Sequence, residues 1–196
     1  MTRNSFRHSK RLVERYAIDK VGTLRTDIFL MASVIFLAAW FLFSVSSPKD
    51  ASAAIDKADK VVVIKSKRVM MLIREGEILK VYRIALGKEP VGPKIFAGDQ
   101  RTPEGFYVLD SRNRGSNYHL ALHISYPNLS DVRNAKKYAA SPGGDIMIHG
   151  LSKGVGKLGK FHRYKDWTNG CIAVTNDEIE EIWSLVPDGT PIEIKP

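Results

Sequence analysis

Residues 166–189 read DWTNGCIAVTNDEIEEIWSLVPDG and hold the only cysteine of the 196-residue chain. The apolar run Cys171–Val174 predicts a short strand, entered through the turn-forming pair Asn169-Gly170. Thr175 followed three residues later by Glu178 is a capping box, and Ile179, Ile182, Trp183 and Val186 then share one helical face. Pro187-Asp188-Gly189 ends that helix. Outward from this stretch the texture is that of short strands: VVVIK from Val61, VMMLIR from Val69, ILKVYRIAL from Ile78, GFYVLD from Gly105, LALHIS from Leu120, DIMIHG from Asp145 and PIEI from Pro191. Glu75-Gly76 reads as a hairpin turn, and a second helix is expected within Ser130–Ala140. The fold class is therefore mainly β with one or two helices, over residues 61–196.

The chain ahead of this domain has a different composition. Residues 1–27 carry seven Lys or Arg against three acidic residues, and Ile28–Ser47 holds no charge at all. A bilayer core needs about 20 apolar residues in helix. The run 28–47 is expected to be a transmembrane anchor or signal-peptide core, the basic leader 1–27 staying cytoplasmic by the positive-inside rule. The small, charged stretch 48–60 reads as a linker, and everything after it as exported. The expected location is thus single-pass in a bacterial inner membrane with the domain in the periplasm; whether Ala51-Ser52-Ala53 is cleaved stays open. The net charge of +9 suits a polyanionic neighbour such as wall or phospholipid. No clustered base-reading helix accompanies it, so no nucleic-acid partner is expected.

An exported single thiol has no internal disulfide partner. A buried inert cysteine is the plain reading of Cys171, and a nucleophile the sharper one. As a nucleophile it needs a base, and a neutral imidazole accepts a thiol proton near pH 7. His149 ends an apolar strand before Gly150, a placement that fixes the ring and leaves access; His123 and His162 are the alternatives. His8 falls on the other side of the membrane, and His119 reads as packing or surface. The amides of Gly170 and Cys171 are candidate oxyanion donors. No metal is expected, because no His/Cys/Asp cluster has ligand spacing, and no nucleotide cofactor, because no glycine-rich phosphate loop follows a strand.

IMIHG followed by TNGCIAVTN resembles the signature of the YkuD-type L,D-transpeptidases: His-Gly, a gap, then Ser or Thr, any residue, Gly, Cys. GDQRTPEG, residues 98–105, is similar to that family's Gly-Asp-x-x-Thr-Pro-x-Gly segment. The resemblance implies a β-sandwich of two packed mixed sheets, with Cys171 as nucleophile, His149 as general base oriented by a backbone carbonyl, and a capping loop over 150–168. It implies peptidoglycan stem peptides as substrate, with a wall-linked envelope protein as a further partner. Thr168 takes the Ser/Thr position that supports the site. Asn169 and Ala173 depart from the family, which often has His or Arg at the first and Arg or Asn at the second. Thr168, Asn169, Gly150, His123 and Tyr126 are the expected substrate-side residues, with core or surface packing the plainer reading of Tyr126.

The resulting expectation is a membrane-tethered acyltransferase attacking the bond between a diamino acid and D-alanine, for cross-linking or protein attachment. The same fold with water as acceptor gives a carboxypeptidase or an amidase that releases wall-linked protein. An inactive wall-binding module and a general cysteine peptidase complete the alternatives.

Overall fold

The computed structural model describes residues 57–196. The leader 1–27, the apolar run 28–47 and the linker up to residue 56 lie outside the described residues. No helix among the described residues is long and apolar enough to cross a membrane. The strands are β1 (Lys60–Ile64), β2 (Val69–Arg74), β3 (Glu77–Arg83), β4 (Gly105–Asn113), β5 (Ala121–Ile124), β6 (Met147–His149), β7 (Ile172–Ala173) and β8 (Thr190–Lys195). The helices are α1 (Leu129–Lys136) and α2 (Asn176–Leu185), with 3₁₀ turns at Lys65–Lys67 and Gly156–Tyr164.

Where two packed sheets were expected, the strands pair into one eight-stranded mixed sheet in the order β3-β2-β1-β8-β4-β5-β6-β7. The long β4 explains the difference. Its first half, Gly105–Leu109, pairs with β8, and its second half pairs with β5 after a register shift between Leu109 and Ser111. A bulge bends and further twists the strand that carries it, so one continuous sheet curls over its own core. Residues beyond β3 then hydrogen-bond to the opposite edge: Ala85 and Ala173 exchange bonds of 3.0 and 2.9 Å. Of ILKVYRIAL, the first six residues thus belong to β3 and the rest to a separate segment that reaches β7.

The alternation of the strands places the core. Val61 and Val63 of β1, Met70 and Leu72 of β2, Leu122 and Ile124 of β5 and Ile192 and Ile194 of β8 are all buried. Helix α2 lays Ile179 and Ile182 on them, and each such side chain stabilises the fold by roughly 1.5–3 kcal/mol. Its expected capping box is present: Thr175 Oγ1 accepts from the Glu178 amide, and the Thr175 amide donates to Glu178 Oε2 at 2.9 Å. The hairpin turn has Glu75 at φ 51° and Gly76 at φ 84°, the geometry of a type I′ turn.

Candidate active site

Parallel pairing of β6 with β7 sets Ile148 opposite Ile172 and His149 opposite Ala173. Extending that register by one residue puts Cys171 beside Met147. Because side chains alternate along a strand, Ile148 and Ile172 point to the core, while Met147, His149 and Cys171 share the other face. Cys171 and His149 are therefore diagonal neighbours on adjacent strands. Both line a cleft of about 430 Å³, together with Lys88, Asn113, Tyr118 and Asp145.

The His149 ring is 4 % exposed, and its Nδ1 lies 2.7 Å from the Gly150 carbonyl. A carbonyl only accepts, so Nδ1 carries the proton and Nε2 is left with its lone pair. Tyr118 tilts over the imidazole at 4.5 Å between ring centroids, and Trp167 meets it edge-on at 5.8 Å. Burial lowers the His149 pKa below the ordinary 6.5, the Gly150 bond opposing this in part. Burial likewise raises the Cys171 thiol above the ordinary 9.0, against the pull of the Met147 amide on the sulfur. The thiol donates to the Asp145 carbonyl across 3.6 Å. At neutral pH the resting pair is thus a thiol and a neutral imidazole.

Thr168 Oγ1 clasps the turn before the cysteine: it donates to the Cys171 carbonyl at 2.7 Å and accepts from the Gly170 amide at 3.1 Å. Contrary to the sequence expectation, the Gly170 amide is therefore committed within the turn, and the Cys171 amide is the backbone donor left for an oxyanion. Thr168 is 4 % exposed and acts by holding the turn. Gly150 contributes its carbonyl and does not line the cleft. Asn169 does line it.

His123 and Tyr126, expected on the substrate side, do not line the cleft. His123 Nδ1 pairs with Asp110 at 2.7 Å, further along the sheet. Tyr126 is buried, and its hydroxyl donates to the Pro142 carbonyl. Its aromatic bulk is needed in the core, where it packs at 6.0 Å from Tyr107. His162 is no rival base either: burial first, then Arg163, press it down to about 4, and Trp167 Nε1 donates to its Nδ1 at 3.5 Å. The expected capping loop is folded as 3₁₀ turns, fastened by an Arg163–Glu178 ion pair and by Asn176 Oδ1 on the Leu151 amide.

The segment 98–105 acts as the floor of the cysteine turn. Asp99 accepts from Lys94 and from the amides of Ile95, Phe96 and Arg101, and buried Thr102 accepts the Gly87 amide at 3.0 Å. Lys65, 2 % exposed, donates to the carbonyls of Gly92 and Thr102 and to Glu104. Asp166 ties the turn's other side, accepting from Arg68 and from the Leu86 amide. Between floor and turn sits Gly87. A Cβ on it would lie 2.1 Å from the Gln100 carbonyl oxygen and 3.2 Å from Gly170 Cα, both backbone. Gly87→Ala is accordingly expected to destabilise the protein by about 3 kcal/mol, seen as a thermal midpoint lower by about 10 °C. An unchanged midpoint would show that the floor can move away.

The family model described as the L,D-transpeptidase catalytic domain, YkuD, matches residues 58–194. YafK of Escherichia coli (strain K12), whose name assigns it provisionally to the L,D-transpeptidases, is 32 % identical over 133 residues, 64 % of this chain and 46 % of YafK. The crystal structure of the helical cell shape determining protein Pgp2 from Campylobacter jejuni is 27 % identical with a TM-score of 0.54, over 72 % of this chain and 49 % of Pgp2. The chain thus spans about half the length of the relatives it matches.

Proposed function

Because this chain belongs to the YkuD family of L,D-transpeptidase catalytic domains, we propose that it is a cysteine acyltransferase of peptidoglycan stem peptides. The observation that carries the reading is the tautomer of His149, whose Nδ1–H is held by Gly150 while Nε2 faces the side of the sheet that bears Cys171. His149 Nε2 takes the thiol proton as Sγ attacks the carbonyl of the stem's diamino acid. The oxyanion forms beside the Cys171 amide. Collapse breaks the bond to D-alanine, whose nitrogen leaves with the proton from the imidazolium. The thioester is then resolved by an amine of another stem or of an envelope protein, giving an amide and restoring the thiol. Water in place of that amine gives a carboxypeptidase. In this proposal the run 28–47 tethers the domain to the inner membrane, with the cleft in the periplasm. The likeness to Pgp2 supports a role in remodelling the wall for shape.

Full-length chain in detergent, incubated with intact sacculi, tests the reading through the muropeptide mass spectrum. New bonds between diamino acids, or exchanged terminal residues, are the expected result. Loss of D-alanine or of linked protein without new bonds would make the protein a hydrolase. A spectrum identical to that of untreated sacculi would leave a wall-binding module.

A further inference from the structure

The cleft contains a charge that the acyl-transfer chemistry does not use. Lys88 is the one lysine or arginine among the residues lining the cleft, and it is exposed. Its backbone is fixed from two sides. The Lys88 amide donates to the Thr168 carbonyl at 3.1 Å, and the next amide, of Glu89, donates to the Gln100 carbonyl at 3.1 Å. Just before it, Gly87 is wedged against the Gly170 backbone, so the segment leaves β7 directly over the cysteine turn. The side chain then reaches Asn169, where Nζ donates to Oδ1 at 3.4 Å.

That bond is long for a charge-assisted one, and among the described residues Lys88 forms no ion pair. Lysines with carboxylate partners in this domain sit much closer: Lys65 to Glu104 at 2.9 Å and Lys94 to Asp99 at 2.7 Å. With its carbonyl oxygen turned to Lys88, Asn169 keeps its amide NH₂ as a second donor on the same wall. An ammonium and an amide side by side form a receptor for a carboxylate; Asp145 is the one carboxylate side chain among the residues lining the cleft, and it pairs with neither of them. Asn169 precedes Cys171 by two residues, at most about 7 Å along the backbone. A carboxylate held there belongs to a residue adjoining the attacked carbonyl.

We infer that Lys88 and Asn169 form a subsite for a carboxylate of the stem peptide, either that of the terminal D-alanine or that on the diamino acid's side chain. This rests on the proposed substrate class, and the subsite works in binding. Lys88 is a positive point charge on a flexible stem, so it selects for charge more than for a fixed orientation. Its contribution falls as salt rises, because the wall on which it stands is open to solvent.

The test is a binding measurement, independent of turnover. Full-length Cys171→Ala chain is titrated with a stem tetrapeptide ending in D-alanine and with two analogues, one amidated at the terminal carboxylate and one at the diamino acid's carboxylate. Lys88→Ala in that background is expected to weaken binding of the free acid about tenfold, and Lys88→Arg to restore most of it. Against the analogue that lacks the bound carboxylate, Lys88→Ala has no further effect, and this identifies which carboxylate is held. Equal affinities with and without Lys88, or an equal loss on all three peptides, would overturn the subsite, as would failure of the free acid to bind. Failure of the acyltransfer reading shows elsewhere, as absence of D-alanine release by the unsubstituted chain.

Discussion

Cys171→Ala in the full-length chain is expected to reduce D-alanine release from stem tetrapeptides to the uncatalysed background, a loss of at least about 10³-fold. The thermal midpoint should move by no more than about 4 °C. The contrast follows from what the residue does. Its carbonyl accepts from Thr168 and its amide borders the cleft, and alanine keeps both. The sulfur itself makes the 3.6 Å contact with the Asp145 carbonyl and feels the pull of the Met147 amide. Little stability depends on those contacts, whereas every step of the proposed reaction passes through the sulfur. Mass spectrometry of the intact protein adds a direct readout. Unsubstituted chain trapped with substrate should gain the mass of the stem less D-alanine, and Cys171→Ala should gain none. Turnover persisting in Cys171→Ala would place the chemistry at another group and remove the reading altogether.

The parts of this site legible in the sequence are those fixed by local rules. The capping box at Thr175–Glu178 announces α2, and the apolar run ending at His149 announces a strand with a titratable group at its exit. Cys171 was legible from its isolation and from the glycine before it. What escaped is carried by contacts far apart in the chain. Trp167 and Tyr118 are ordinary aromatics in sequence, and only the fold brings both onto the His149 ring. Lys65 and Lys94 look like surface lysines, yet both are buried; partners 37 and 39 residues away at Thr102 and Glu104 hold Lys65, and Asp99 holds Lys94. Strand order was equally out of reach. A bulge that splits β4 between two neighbours leaves no mark on hydrophobic alternation, so the strand pattern had nothing to set against the two sheets that the family resemblance implied. Tyr126 and His123 show the converse error. Both lie near a strand end, as His149 does, but the fold turns one into the core and pairs the other with Asp110. Gly87 carried no motif of its own, and its constraint exists only because two other backbones close on it.

His149→Ala is expected to lower the rate of Cys171 acylation at pH 7 by about 10²–10⁴-fold and to change the shape of its pH dependence. In the unsubstituted chain the reacting form is the neutral thiol beside the neutral imidazole. Protonating Nε2 removes the base, so the rate should fall as pH drops through the His149 pKa. Burial holds that pKa below 6.5, which puts the acidic limb below pH 6.5. Above it the rate should run flat toward pH 9, because the base is already free and the buried thiol, raised above 9.0, has not yet ionised. Without the imidazole the only nucleophile left is the thiolate. Its fraction grows about tenfold per pH unit until the raised thiol pKa is reached, so the His149→Ala rate should climb steadily where the parent is level. The deficit therefore narrows with alkalinity, and rates of acyl-enzyme formation measured from pH 5 to 10 separate the two cases. An acidic limb centred above pH 6.5, or a plateau surviving in His149→Ala, would mean that the imidazole held by Gly150 is not the base.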